Sequence, residues 1–272
     1  MPDVSQTTQV LLRMQYRLMR HAGVPQPDLA DTEFHCFSQF GEDGILLYLF
    51  AVLGATNRKA VEVCASDGVE CNAANLIINH GWRGLLIDGD QAKVEAGRAF
   101  YAGHPHTTIA PPTLVASWIT AENVDGLIAS HGFSGEIDLL SLDVDGVDYW
   151  IWRAMRSIQP RVIVLEFNAV LGPDRTLTLP YDPNFRLDFS KQPYKCGASL
   201  PAFVKLGHEK GYRLVGITSL GINAFFVRND VGADLLPEVS PRDCFARVTR
   251  LQEYSPLWLE AMYADGQTWD EV

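Results

Sequence analysis

Two apolar stretches of the chain end in acids. LLSLDVDG puts Asp143 and Asp145 after one, and VIVLEFN puts Glu166 and Asn168 at the end of the other. Alternate residues on a strand face one side. If these stretches are neighbouring strands, the four side chains could form one oxygen-rich cluster. Hard cations such as Mg²⁺ favour such ligands, so Asp143, Glu166 and Asn168 form a candidate set for Mg²⁺ or another divalent cation. Carboxylate clusters also serve as bases or as structural acids. As a proton-removing base, Asp145 is one candidate and His35 the other. His104-Pro105-His106 has metal-like spacing, but it falls in a loop.

Such a cluster needs strands to place it, and residues 59–90 show the repeating unit. KAVEVCASDGVECNAANLIINHGWRGLLIDGD reads as strand, small-residue loop, helix, second strand and acidic tip. Ala65, Ser66, Asp67 and Gly68 let a ligand approach the backbone closely. Asp88 and Asp90 follow the second strand. In open α/β sheets, ligands bind at the carboxyl ends of strands near the switch point, and a carboxylate there can accept both hydroxyl protons of a ribose. The fingerprints G-x-G-x-x-G and G-x-x-x-x-G-K-[ST] are both absent, so a pyrophosphate is poorly served. A ribose-bearing ligand without phosphate fits better, and S-adenosylmethionine is the common one.

The alternation extends along the chain. Strands are expected at 60–64, 84–88, 106–110, 137–143, 161–167, 212–218 and 223–228. Helices are expected at 41–54, 72–80, 91–102, 120–131, 147–157 and 199–210. This implies a parallel sheet covered on both faces. The last two strands have no helix between them and read as a hairpin. The expected fold is therefore a Rossmann-like, seven-stranded, mostly parallel α/β sheet with an antiparallel hairpin strand, the class I methyltransferase plan. Residues 1–36 form an N-terminal helical segment, 37–230 the main domain and 231–272 a helical extension. Val10, Leu11, Met14 and Leu18 lie at helical spacing; the stripe either faces the core or pairs with a second subunit as a homodimer. Residues 169–198 break the alternation. Tyr181, Phe185, Phe189 and Tyr194 argue for an ordered cap there. Tyr181, Asp182, Asn184 and Arg186 could bind a hydroxylated ring.

Composition narrows the classes. The 272 residues carry 22 basic and 33 acidic side chains, a formal net charge of −11. That surface repels phosphate backbones, so nucleic acid is not expected as a partner; no Lys/Arg run is visible. No apolar run reaches a membrane span, and the N-terminus is unlike a signal peptide, so no membrane partner and a cytoplasmic location are expected. The five cysteines form no C-x-x-C pair and read as reduced thiols.

Over roughly residues 37–228 the chain resembles the FkbM-type S-adenosylmethionine-dependent methyltransferases. The resemblance rests on Glu62, Ala65, Ser66 and Gly68 for the first motif, Asp88 after strand two, and LLSLDVDG with Asp143 and Asp145. SQFGEDGIL (Ser38–Leu46) resembles the family's opening helix. Cys64 stands where the family normally has glycine, and Asp88-Gly89-Asp90 replaces its usual Glu-Pro. The resemblance implies methylation of oxygen on a small acceptor such as a sugar or natural product. It implies cofactor contacts from Gln39, Glu62, Ser66, Gly68, Asn72, Asp88 and Asp143. Two alternatives stay open: N- or C-methylation, or another transfer or cyclisation, with the same cofactor; and a non-catalytic scaffold whose cofactor loop has degraded at Cys64.

Overall fold

The computed structural model describes residues 4–188, 190–192, 195–248 and 268–272. Its main sheet uses β1 (Lys59–Val63), β2 (Arg83–Asp88), β3 (Thr113–Ala116), β4 (Gly135–Leu142), β5 (Ile158–Glu166), β7 (Tyr212–Ile217) and β8 (Asn223–Arg228). The order is β3-β2-β1-β4-β5-β8-β7. Strands β1 to β5 pair in parallel, while β8 runs antiparallel to both β5 and β7. This is the class I methyltransferase arrangement, and its switch point lies between β1 and β4. A second, small sheet pairs β6 (Leu177–Thr178) with β9 (Asp270–Glu271).

The strands read as apolar runs because the sheet is covered on both faces. Val61, Val63, Leu140, Leu142, Ile163, Leu165 and Phe226 enter one core, beside α6 (Asp148–Ala154) and α7 (Leu200–Lys210). Ala60, Leu86, Leu139, Val162, Val164, Phe225 and Val227 enter the other, beside α2 (Glu42–Leu53) and α3 (Ala74–His80). Helix α2 is buried almost all round, as its uninterrupted ILLYLFAVL run requires. Three further helices are α1 (Gln6–His21), α4 (Gln91–Gly103) and α5 (Val124–Ser130).

Two expectations change. The third strand lies at Thr113–Ala116, not at 106–110. The β-branched Thr-Thr-Ile run at 107–109 is instead wound into turns: Thr107 and Thr108 both donate N–H to His104 O, and Ile109 is 96% exposed. The strand starts only after Pro111-Pro112, where β2 offers a ladder. The second concerns α1, where of the two readings of its apolar stripe the core-facing one fails. Leu11, Met14 and Leu18 stay exposed, while Gln9 is buried. The helix docks through polar and aromatic contacts instead: Tyr16 edge-on to Tyr48, and Arg20 Nη1 to Val52 O at 2.6 Å. Phe189 and Tyr194 lie outside the described residues, as do 249–267 of the expected C-terminal extension. Among the described residues, no helix is long and apolar enough to cross a membrane.

Candidate active site

The site is built at the carboxyl ends of β1, β2, β4 and β5. The chain leaves β1 through a left-handed turn: Cys64, Ser66 and Gly68 have φ of 67°, 54° and 72°. Such a conformation is costly for a residue with a Cβ. Of the four described non-glycine residues with positive φ, three stand here: Cys64, Ser66 and, after β4, Asp145. Cys64 therefore keeps the turn that a glycine would take more cheaply. Gly68 points away from the site; a Cβ there would run into Leu86 and Tyr101.

Glu62 holds this turn together. Its carboxylate accepts N–H from Asn72 (2.9 Å) and Ala73 (2.6 Å) and the Ser141 hydroxyl (3.3 Å). The Asn72 amide also donates to Ser141 Oγ. These bonds anchor the approach to α3 and explain why the helix starts at Ala74 instead of residue 72. Burial pushes the Glu62 carboxyl up, against those hydrogen bonds. Glu62 thus sets the loop's shape with both oxygens engaged, and Asn72 joins it through its N–H and its amide nitrogen.

Asp88 is placed differently. One oxygen accepts Ser66 N–H (2.7 Å) and the other Asp90 N–H (2.8 Å). A carboxylate oxygen has two lone pairs, so each oxygen retains one for a further donor. Asp88 lines a slot with Val63, Cys64, Gly89, Ser117, Trp118, Val144, Val147, Pro183 and Phe185. The slot's free volume is only about 60 Å³, because the cap sits in it. The Phe185 ring lies against Gly146, and Trp118 lies against Gly89. Trp118 Nε1 donates to Pro183 O at 2.7 Å, and the Arg186 guanidinium stacks 4.3 Å from the Trp118 ring centre. Tyr181 donates its hydroxyl proton to Glu122 (2.6 Å) and accepts Ala121 N–H. Asp182 accepts Asn184 N–H within the same turn. The four predicted substrate residues thus lie in or beside the stretch that covers the slot, and Phe185 and Trp118 enter it more directly.

The acids after β4 and β5 do converge. Leu142 pairs with Leu165, which sets Asp143 beside Glu166, and oxygens of Asp143, Asp145 and Glu166 lie within 4.8 Å of one another. Desolvation, then the neighbouring Asp143 charge, pushes the Glu166 carboxyl far up, and burial raises Asp143 as well. Asp143 Oδ1 is buried without a hydrogen-bond partner. Burial, then the Asp143 charge, raises Asp145 to about 6. Asn168 is not drawn in. Its amide donates to Cys196 O (2.9 Å) and accepts Val170 N–H (3.1 Å), so both ends serve the loop after β5.

Asp148 is a member the sequence reading missed. It is fully buried and accepts Val144 N–H (2.7 Å) and Gly146 N–H (3.0 Å), clasping the turn that carries Asp145. Burial, then Asp143, raises it to about 7. The signal was present in the spacing D-V-D-G-V-D, where the third acid starts α6. Glu42 was missed as well. It is buried at the start of α2, accepts the Asn223 amide (2.7 Å), and its charge acts on Asp143. His35 (half-buried) and Gln39 (exposed) lie in the loop leading to Glu42. That loop is held by Asp43, whose Oδ2 accepts the N–H groups of Cys36, Phe37 and Ser38.

No family model matches the chain, and no curated protein matches it in sequence. Comparison with solved structures gives matches of low similarity. An S-adenosylmethionine-dependent methyltransferase from Clostridium acetobutylicum ATCC 824 has 8% identity and a TM-score of 0.44, over 70% of this chain and 92% of that one. The O-methyltransferase TomG from Streptomyces achromogenes, involved in tomaymycin synthesis, has 14% identity and a TM-score of 0.43, over 81% and 89%. An O-methyltransferase from Bacillus cereus has 15% identity and a TM-score of 0.41, over 80% and 89%. The fold assignment rests on the strand order and the single reversed strand described above.

Proposed function

We propose that the chain is an S-adenosylmethionine-dependent O-methyltransferase acting on a small hydroxylated molecule, a sugar or natural product. The observation that carries this reading is the juxtaposition of two sites at the switch point. Asp88 keeps a lone pair on each oxygen, suited to the two hydroxyls of a ribose. The acid cluster stands at the carboxyl ends of β4 and β5, the next two strands beyond β1. S-adenosylmethionine would supply an electrophilic sulfonium methyl group, which the acceptor oxygen takes as the S–C bond breaks and S-adenosylhomocysteine leaves. The chain's part is to hold the acceptor in line and take its proton. Asp145 is the group for that: it is partly exposed, held in place by the Asp148 clasp, and raised to about 6. Its carboxylate accepts the hydroxyl proton as the acceptor oxygen forms its new bond to carbon.

A nucleoside needs more room than about 60 Å³. Admission therefore requires Phe185 to swing clear of Gly146 and Trp118 of Gly89. Phe185→Ala should tighten S-adenosylhomocysteine severalfold while leaving the sheet intact.

A second reading adds a divalent cation held by Asp143, Asp145 and Glu166. The unpartnered Asp143 Oδ1, buried among these oxygens, favours it. A cation there would acidify a bound hydroxyl.

Titrating S-adenosylhomocysteine into chelator-treated protein by calorimetry, then repeating with Mg²⁺, tests both readings. Binding in the low-micromolar range, about −8 kcal/mol, is expected. No binding in either condition would sink the methyltransferase reading. No added heat with Mg²⁺ would remove the cation alone.

A further inference from the structure

The opposite end of the sheet carries a second constellation, which the chemistry above does not use. Arg13 and Arg17 lie one helical turn apart on α1. Arg58 stands immediately before β1 and His80 ends α3. These four line one pocket with Leu47, Phe50, Ala55, Leu76 and Trp82; its free volume is about 80 Å³. No carboxylate lines it. Among the described residues, none of the three guanidinium groups makes an ion pair. Arg13 Nε is buried without a hydrogen-bond partner. The charges acting on Arg13 are those of Arg17 and Arg58, both repulsive. Arg17 and Arg58 are exposed and Arg13 half-buried; in a chain of net charge −11 this local concentration of cations attracts an anion.

Arg58 adds an independent sign. It has φ of 53°, a conformation that favours glycine. Its N–H donates to buried Asp138 (2.6 Å), and its carbonyl accepts Arg83 N–H, so the backbone path is fixed. A long cationic side chain is carried at a position where glycine would be less strained.

We propose that this pocket binds the phosphate group of a phosphorylated ligand. Arg13, Arg17 and Arg58 supply the converging donors, and Phe50 and Trp82 form the apolar wall. Guanidinium forks match phosphate oxygens bidentately, and a pocket of about 80 Å³ admits one tetrahedral oxyanion and little more. The phosphate belongs either to a soluble phosphomonoester or to a lipid headgroup. The exposed Leu11, Met14 and Leu18 on the same helix make the second source worth a separate arm. The pocket lies at the amino ends of β1 and β2, a strand's length away from Asp88: five residues, roughly 17 Å.

The test is thermal melting of the full chain with inorganic phosphate against sodium chloride of equal ionic strength. A ligand that binds only the folded state raises the melting temperature, so phosphate should raise it and chloride should not. Arg58→Gly relieves the strained φ while deleting the guanidinium, so the variant should fold and bind phosphate at least about tenfold more weakly. Glycerol 3-phosphate forms the soluble arm. Phosphatidylcholine vesicles with and without phosphatidic acid form the lipid arm. A shift with glycerol 3-phosphate assigns a soluble ligand, and vesicle capture that needs phosphatidic acid and is lost in R58G assigns a lipid. Equal melting in phosphate and chloride, or a phosphate response unchanged in R58G, overturns the site.

Discussion

Asp138 and Asp143 belong to the same strand or its immediate exit, five residues apart, and their environments are opposite. Asp138 is fully buried, and its oxygens accept N–H from Thr56, Asn57 and Arg58 and from the Arg161 guanidinium at 3.0 Å. Burial alone would raise its pKa; those donors outweigh burial and hold it below the usual range. Asp143 has Glu166, Asp145 and Glu42 for neighbours and one oxygen with no partner at all. Burial therefore wins, and its pKa rises. The first acid is a structural pin. The second sits in a cluster that stays unfavourable until a proton, a cation or a substrate donor joins it. One residue type on one strand becomes scaffold or chemistry according to what the flanking loops deliver.

The comparison breaks most visibly at Asp145. Asn tolerates a positive φ, so Asp145→Asn should keep the turn and lower turnover by about 10² to 10⁴. Near-wild-type rates would remove Asp145 as the base. Wild-type activity should fall as pH drops through about 6, the value Asp145 reaches. Asp143→Asn should move that limb lower, because the Asp143 charge is the second influence, after burial, raising Asp145.

Asp138→Ala attacks the other member of the pair. Breaking a buried ion pair costs about 3–5 kcal/mol, read as a lower denaturation midpoint with the urea slope unchanged. In the wild type this contribution is present above the ordinary carboxylate range and is lost as pH falls through the depressed Asp138 value.

The acid cluster should give the reverse slope. Glu166, Asp145 and Asp148 hold protons in the folded chain that the unfolded chain releases above about pH 4. Stability from these groups is thus present at low pH and lost as pH rises, through about 6 for Asp145 and about 7 for Asp148. His80, lowered to about 4 chiefly by burial, acts oppositely up to its ordinary value but equally in wild type and variant. Glu166→Gln should therefore flatten the fall in melting temperature between pH 5 and 8, by a few degrees. An unchanged slope would mean that Glu166 is not protonated in the fold.

The smallest effect belongs to Cys64→Gly. Relieving a left-handed conformation should stabilise by about 1 kcal/mol or less. It should leave cofactor affinity unchanged if the turn, and not the thiol, is what matters.

Much of the frame was legible because it depends on local pattern. Apolar runs spaced by helices gave six of the seven main-sheet strands within a few residues, since a doubly covered sheet needs near-continuous apolar strands. The miss at 106–110 arose because β-branched residues fit strands only where a neighbour offers a ladder; there the chain was turning, and β2 had no pairing to give. On α1 the apolar stripe was visible but its direction was not, because Gln9, with His80 and Asn75 as partners, took the buried face. At the site, Asp88, Asp143, Asp145 and Glu166 stood out as acids at strand ends. Asn168 fitted the same alternation, but β5 ends at Glu166, and the next turns spend its amide on the backbone.

By itself the sequence determined the alternation of strand and helix, the closing hairpin and the acids at the strand tips, because each follows from residue type and short spacing. The tertiary structure alone decided which acids meet a cation and which meet one another. It also decided that Phe185 lies across the slot beside Asp88 and that Arg13, Arg17 and Arg58 share a pocket. Those outcomes depend on loops separated by tens of residues, and charge interactions depend on distance and burial in space, which sequence order does not specify.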